Sequence, residues 1–253
     1  MNKSYLGSAV LSGSLMLFLG ACGSIQTRSQ DAEALAQVHK VAVVAFSVLE
    51  PAPAQIGLNL GSGKVEGQQG GTIIPASDAT IDDMLQKLSA QFKAKMKWQV
   101  ISPGELVKKP GYKKAYEATM VGWHNKMPPG QGQTKMIVKN FMDFDSVRIL
   151  DVEGRNQLIK DLGVDAIVAA QVNVHLNGTT VMGIGARHVE SDVMFMMYAD
   201  GKEKPVWFEG QIKGPESDES VGKTNFFDED LMRKLAVSSA QSAYEKIGSS
   251  SVE

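Results

Sequence analysis

The feature that most limits how this chain can fold is a continuous apolar run at residues 40–48, with the sequence KVAVVAFSV. Its residues are mostly β-branched or small, and they do not alternate with polar ones. Such a run is typical of a strand buried on both faces at the centre of a sheet. Because a strand of this kind needs cover on both sides, the run favours a layered α/β fold.

A strongly amphipathic helix is predicted at residues 79–97. Acidic residues lie in its first turn and lysines in its last, and both complement the helix dipole. Its apolar residues recur at spacings of three and four along one stripe: Ile81, Met84, Leu85, Leu88, Phe92 and Met96. We expect this stripe to pack on the sheet that begins at residue 40, with Leu85 and Leu88 nearly fully buried.

The later elements extend the same sheet. In chain order we predict a strand at 98–102, short helices from 103 and at 115–121, a helix at 151–162, strands at 165–176, 179–188, 189–199 and 205–213, and a helix at 228–247. Asn177-Gly178 predicts a two-residue hairpin turn. The predicted fold class is therefore α/β, with one mixed sheet that starts with a βαβ unit, continues as an antiparallel meander and carries packed helices.

The start of the chain predicts export and lipid attachment. Lys3 is followed by an uncharged segment at 6–19 that is short for a membrane span. The next residues, Leu19-Gly20-Ala21-Cys22, resemble the lipobox of bacterial lipoproteins. Cys22 is the one cysteine in the chain, so it has no intramolecular disulfide partner. The resemblance implies cleavage before Cys22 and lipidation on it.

These features predict the domain organisation. Residues 1–21 are a signal peptide, 22–37 a lipidated tether, and 38–253 a single periplasmic α/β domain with a flexible insert at 50–76. Gly23 follows the lipidated cysteine, and the sorting rule of enteric bacteria then implies the outer membrane, with the domain facing the periplasm. The lipid is the predicted membrane anchor.

Two short motifs carry a second resemblance. VAVVAF at the first strand and GVDAIV at residues 163–168 resemble periplasmic lipoprotein domains related to the curli secretion lipoprotein and to the N-terminal domain of TolB. That resemblance implies a sheet with packed helices and a role in an envelope assembly.

Several kinds of chemistry are disfavoured by composition and spacing. The formal net charge of −2 does not suit a nucleic-acid partner. Gly61-Ser62-Gly63-Lys64 lacks the flanking residues of a phosphate loop, so no nucleotide is expected. The four histidines lack metal-site spacing, no G-x-S-x-G occurs, and the acidic cluster at 143–153 is interpreted as helix caps and solvated charge. We expect no catalytic residues, no metal and no cofactor.

One segment is a candidate for partner binding because basic and aromatic residues interleave in it. Its members are Lys108, Lys109, Tyr112, Lys113, Lys114, Tyr116 and Trp123. The alternative is a solvated helical edge with the tyrosines packed inward. A second candidate is the methionine-rich pair of strands around Met194, Met196 and Met197, which is either core or an adaptable surface.

Three functions remain open at this stage. The first is a non-enzymatic lipoprotein that binds a protein partner, or itself, in an envelope assembly, as a secretion-channel subunit or a regulator of envelope machinery. The second is a carrier of lipid or glycan. The third is a tethered hydrolase whose site is scattered over loops.

Overall fold

The computed structural model describes residues 28–52, 72–76, 79–120, 133–178, 185–223 and 226–248. The strands are β1 (Arg28–Gln30), β2 (Lys40–Pro51), β3 (Thr72–Ala76), β4 (Gln99–Ile101), β5 (Gln133–Val138), β6 (Ala166–Asn177), β7 (Ala186–Ala199), β8 (Trp207–Lys213), β9 (Ser220–Lys223) and β10 (Phe226–Phe227). The helices are α1 (Ala32–Ala36), α2 (Ala79–Met96), α3 (Pro103–Leu106), α4 (Pro110–Met120), α5 (Phe144–Ile149), α6 (Val152–Leu162) and α7 (Glu229–Glu245).

The strands of the described residues form one mixed sheet. Its main path runs β1-β8-β7-β6-β2-β5-β3, with β4 also paired to β2 and β9 to β7. β2 lies parallel to β4 and to β6, whereas β6, β7 and β8 pair antiparallel. The predicted βαβ start and antiparallel meander are therefore confirmed, and so is the fold class.

Helices pack on both faces of this sheet. Side chains alternate between faces along a strand, so β7 shows which helix lies on which side. Phe195 contacts Phe92 of α2 edge to face at 5.6 Å, whereas Tyr198 lies under the guanidinium of Arg155 from α6, 4.3 Å from the ring centroid. α2 and α7 therefore cover one face, and α4, α5 and α6 cover part of the other.

The amphipathic stripe of α2 packs as predicted. Leu85 and Leu88 are 1% and 0% exposed, and Phe92 stacks on Trp98 at a centroid distance of 6.0 Å. Trp207 of β8 joins this cluster through edge-on contacts with Trp98 and Phe195. The side chains of one helix and three separated strand regions thus share a single aromatic core.

The beginning of the domain lies earlier than predicted. Instead of a tether that reaches residue 37, Arg28–Gln30 pairs antiparallel with β8, and the Arg28 Nε lies 2.9 Å from Glu209. α1 follows, with Asp31 as its N-cap. A short polar strand is well suited to a sheet edge, which explains why this segment shows no apolar pattern in the sequence.

The insert at 50–76 is also bounded differently. β2 continues to Pro51, and Thr72–Ala76 forms β3, paired parallel to β5. Residues 53–71 lie outside the described residues. β5 was not predicted, although all but its first residue are buried.

The prediction of a two-residue hairpin turn at Asn177-Gly178 is wrong. Asn177 pairs with His188, and one strand, Ala186–Ala199, replaces the two predicted at 179–188 and 189–199. Residues 179–184 lie outside the described residues. The register of β6 against β7 is set by long rows of matching cross-strand pairs, and these outweigh the local turn preference of Asn-Gly.

Candidate functional site

One half of a sheet face is open to solvent. β6 is buried from Ala166 to Val172; beyond that point, on this face, Asn173 is half-buried and His175 is exposed. On β8, Gln211 is exposed as well. We call this surface the open face and define it by the side chains that share this side of the sheet, of which Gln171 and Asp192 are buried beneath the others: Gln171, Asn173, His175, Asp192, Met194, Phe208 and Gln211.

The end of the open face nearest β1 is an apolar cleft of about 430 Å³. We call it the apolar cleft. It is lined by Ser29, Phe144, Asp145, Arg148, Gln171, Met194, Met196, Tyr198, Pro205 and Phe208. A concave, mostly apolar site with a few polar groups at its edge is the usual form of a binding pocket.

Helix α5 forms one wall of the apolar cleft. Asp143 caps this helix by accepting a hydrogen bond from the backbone amide of Asp145 at 3.0 Å, and this turn directs Phe144 and Arg148 towards the sheet. The ammonium group of Lys135, on β5, lies 2.9 Å from the Asp145 carboxylate and 3.4 Å from Asp143. These ion pairs fix α5 to the sheet, so the wall of the cleft is held in place.

Among the ion-paired side chains that hold α5 to the sheet, Asp143 is fully buried. Burial raises the pKa of its carboxyl above the usual value, although the nearby Lys135 acts in the opposite direction. Lys135 is itself only 4% exposed. Burying a charge without a partner is costly, and the Lys135 ammonium group lies within ion-pair distance of both Asp143 and Asp145.

Beside the apolar cleft, and sharing Gln171 with it, runs a chain of hydrogen-bonded polar side chains, which we call the polar row. Ser47 donates to Gln171 at 3.3 Å, Gln171 to Asn173 at 2.7 Å, and Asn173 to Asp192 at 2.7 Å. Asp192 also accepts from Gln211 at 3.3 Å. The His175 Nε2 lies 2.6 Å from Asp192 Oδ2, the oxygen that also accepts from Gln211.

The polar row perturbs both of its ionisable members. The hydrogen bond to Asp192 raises the pKa of His175. Burial alone would raise the pKa of Asp192, but hydrogen bonds from His175, Asn173 and Gln211 hold it below its usual value. The pair therefore favours a charged imidazolium against a charged carboxylate.

The described side chains of this region do not form a recognisable reaction centre. No hydroxyl or thiol of a described residue is hydrogen-bonded to His175, so the nucleophile of a triad is not in place there. The described residues also contain no group of three or more His, Cys, Asp and Glu side chains placed to hold a metal. What the open face offers is an array of amide, carboxylate and imidazole groups beside an apolar cleft.

The predicted lysine and tyrosine surface is only partly a surface. Lys108, Lys113 and Lys114 are exposed, Lys109 and Tyr116 are half-buried, and Trp123 lies outside the described residues. Tyr112 is 1% exposed, and its hydroxyl donates to the Val44 carbonyl and accepts from the Met142 amide. The assignment of Tyr112 to a partner-binding surface is therefore wrong: its ring is core, and it ties α4 to β2.

The methionine-rich strand divides between the two faces of the sheet. Met197 is 0% exposed in the core beneath α2 and α7, whereas Met194 is half-buried and, with Met196, lines the apolar cleft. Both readings of the methionines thus apply, each to alternate residues. Met182 lies outside the described residues.

The helix-capping interpretation of the acidic cluster is confirmed, but the interpretation as solvated charge is wrong for Asp143, which is 0% exposed. Asp143 and Asp151 are helix N-caps, of α5 and α6. His175 and His188 do not face each other, since His188 bonds to the Ser217 carbonyl and His175 to Asp192. The importance of Asp192 and Gln211 was missed, because neither residue belongs to a motif. Only the strand register brings them beside Asn173 and His175.

Comparison with known proteins adds little to this geometry. No family model matches the chain, and the search of curated proteins gives no significant match. A solved structure titled as lipoprotein GNA1162 from Neisseria meningitidis is similar over 84% of this chain and 99% of that one, with 11% identity and a TM-score of 0.32. A likeness at this level says nothing about the function of this chain.

Membrane attachment by a helix is not seen in the described part of the chain, where every helix is too short or too polar to cross a bilayer. Cys22 lies outside the described residues.

Proposed function

We propose that this chain is a lipid-anchored lipoprotein of the bacterial outer membrane, and that its periplasmic domain is a non-enzymatic binding component of an envelope assembly. It is held by acyl chains on Cys22 and engages a protein partner through the open face. The observation that carries the binding role is the open face itself, where a preformed cleft adjoins an ordered row of polar groups.

The polar row supports a binding role in a specific way. Asn173 and Asp192 are held by neighbouring side chains, so their positions are fixed before a partner arrives. Preorganised polar groups bind at a lower entropic cost than mobile ones. His175 and Gln211 stay accessible at the end of the row, where they can exchange hydrogen bonds with a partner.

The anchor is tested by replacing the cysteine. Cys22→Ser should block lipidation and leave precursor that is uncleaved or mislocalised, because the thiol is the acceptor of the lipid. The measurement is mass spectrometry of the mature N-terminus, together with fractionation of inner and outer membranes. A wild-type N-terminus elsewhere in the chain, without acyl mass, would contradict the anchor.

The partner surface is tested by comparing two substitutions in crosslinked cells. Gln211→Glu adds a charge to the exposed end of the polar row, and Lys114→Glu reverses a charge on α4, the surface that the sequence suggested. We expect the partner that wild type captures, identified by mass spectrometry, to be lost with Gln211→Glu and retained with Lys114→Glu. The opposite pattern would move the partner site to α4.

A further inference from the structure

The position of β1 fixes which end of the domain lies nearest its anchor. Arg28, Ser29 and Gln30 pair with Glu209, Phe208 and Trp207 at the edge of the sheet. The ion pair between Arg28 and Glu209 adds to these backbone bonds. The chain is therefore fixed to this edge from residue 28 onward.

The chain between the anchor and this edge is short. Cys22 lies six residues before Arg28, and six residues span at most about 20 Å even when fully extended. A domain of this size has a radius of gyration of about 17 Å, so it is wider than the tether is long. Arg28 therefore stays within about 20 Å of Cys22, whereas β5, five strands away across the sheet, lies about 24 Å from β1.

The apolar cleft extends to this same edge. Ser29 of β1 and its cross-strand partner Phe208 both line it, together with the half-buried Met194. Ile149, at the end of α5, is 40% exposed and is the one exposed large apolar side chain among the described residues. A single exposed isoleucine is common, but this one follows Arg148, whose side chain lines the cleft.

The charges at the cleft suit a phospholipid. Arg148 has 56% of its side chain exposed, and its contact with Asp145 is long, at 3.4 Å. An accessible guanidinium is well suited to a phosphate group. Asp145 does not present an isolated negative charge, because Lys135 lies 2.9 Å from its other oxygen. In a phospholipid, acyl chains adjoin a phosphate group. The apolar cleft could hold an acyl chain, and Arg148 beside it could bind the phosphate.

We propose that the β1 edge and the apolar cleft rest on the leaflet that holds Cys22, with Ile149 in contact with lipid and a phospholipid from that leaflet in the cleft. This inference rests on the anchor of the proposed function. It leaves His175, the exposed end of the polar row on β6, available to the protein partner.

The experiment uses the mature, acylated protein in nanodiscs of phosphatidylethanolamine and phosphatidylglycerol, with no other protein present. Because acylation consumes the one natural cysteine, Ile149→Cys supplies a single thiol for a nitroxide label. The matched control is Lys93→Cys, at an exposed position of α2 on the opposite face of the sheet. The readout is the collision rate of each label with oxygen, which concentrates in lipid, and with an aqueous nickel complex.

We expect the ratio of oxygen to nickel collisions to be severalfold higher at position 149 than at position 93. In the labelled Ile149→Cys protein, Met194→Asp should lower this ratio and the amount of co-purified phospholipid, because it places a carboxylate in the cleft. Gln86→Asp, at an exposed position of α2 on the opposite face of the sheet, should change neither. Circular dichroism checks that each variant is folded.

Three results overturn the inference, and they are distinguishable. An acylated protein whose two labels contact water equally overturns the membrane-facing edge alone and leaves the proposed function in place. A mature protein with no acyl mass on Cys22 overturns the proposed anchor and this inference with it. Lipid contact at position 149 that is unchanged by Met194→Asp would retain the edge but exclude the cleft as a lipid site, so the proposal as stated would fail.

Discussion

The two faces of β7 carry similar side chains in very different surroundings. Phe195 and Met197 point to the face covered by α2 and α7 and are 0% exposed. Their neighbours Met194 and Met196 point to the apolar cleft on the other face. A methionine-rich strand therefore has no single role, and the helix that covers a face decides whether its residues are core or surface.

The largest loss of stability should come from a substitution in α2, which covers the sheet face opposite the open face. Leu88→Ala should lower the free energy of unfolding by about 2–5 kcal/mol, through the lost transfer energy and the cavity left behind. Gln86→Ala, at an exposed position of the same helix, should change it by less than about 0.5 kcal/mol. Urea unfolding of both variants measures the contrast. A Leu88→Ala protein of unchanged stability that no longer binds its partner would show that the stripe is an interface.

Met197 and Met194 test, within one strand, how much the two faces of β7 differ in burial. Met197→Ala should cost about 2–5 kcal/mol, as expected for a fully buried methionine. Met194→Ala should cost less than about 1.5 kcal/mol, since its side chain is half-buried and borders open space. Thermal or urea unfolding distinguishes the two, and equal losses would mean that the apolar cleft is closed by further protein in solution.

Tyr112 tests how α4 is attached to the sheet. Tyr112→Phe removes a hydroxyl that bonds the Val44 carbonyl and the Met142 amide, both in the interior. We expect a loss of about 1–3 kcal/mol, the usual cost of leaving a buried polar group without a partner. Lys113→Ala, at the adjacent exposed position, is the control and should be nearly neutral.

The smallest expected effect is a dependence on pH in the polar row. Because the folded pKa of His175 is raised, its contribution to stability is fully present below the unfolded pKa of about 6.5 and is lost as pH rises through the folded pKa. Stability should therefore decline with pH above about 6.5. His175→Gln should remove this part of the profile, which urea unfolding across that range measures. An unchanged profile would mean that the pair with Asp192 is not formed in solution.

Sequence patterns predicted the elements whose signal is local. The apolar run of β2 and the stripe of α2 both depend on residues close together in the chain. β3 and β5 carry no comparable local pattern, and they form because β2 offers an unpaired edge. The prediction of a turn at Asn177-Gly178 was wrong because the extended pairing of β6 with β7 outweighs the local preference of a two-residue motif.

The candidate site was harder to predict than the fold. Asn173 and His175 lie on a strand that the sequence predicts, but Asp192 and Gln211 join them only through pairing between strands. Tyr112 could have been assigned to the core, since Tyr112, Ala115, Tyr116 and Thr119 follow a helical stripe, and all four are buried or half-buried. The basic residues between them obscured that period.

The pairing of β1 with β8 also sets an order of folding. Contacts at this edge join distant parts of the chain, as between Asp31 and Lys202, which are 171 positions apart. Closing so long a loop is slow and is favourable only once the meander exists. For a chain acylated at Cys22, as proposed above, the anchor is in place before β1 pairs with β8. Docking of this edge strand then brings the folded domain close to the membrane.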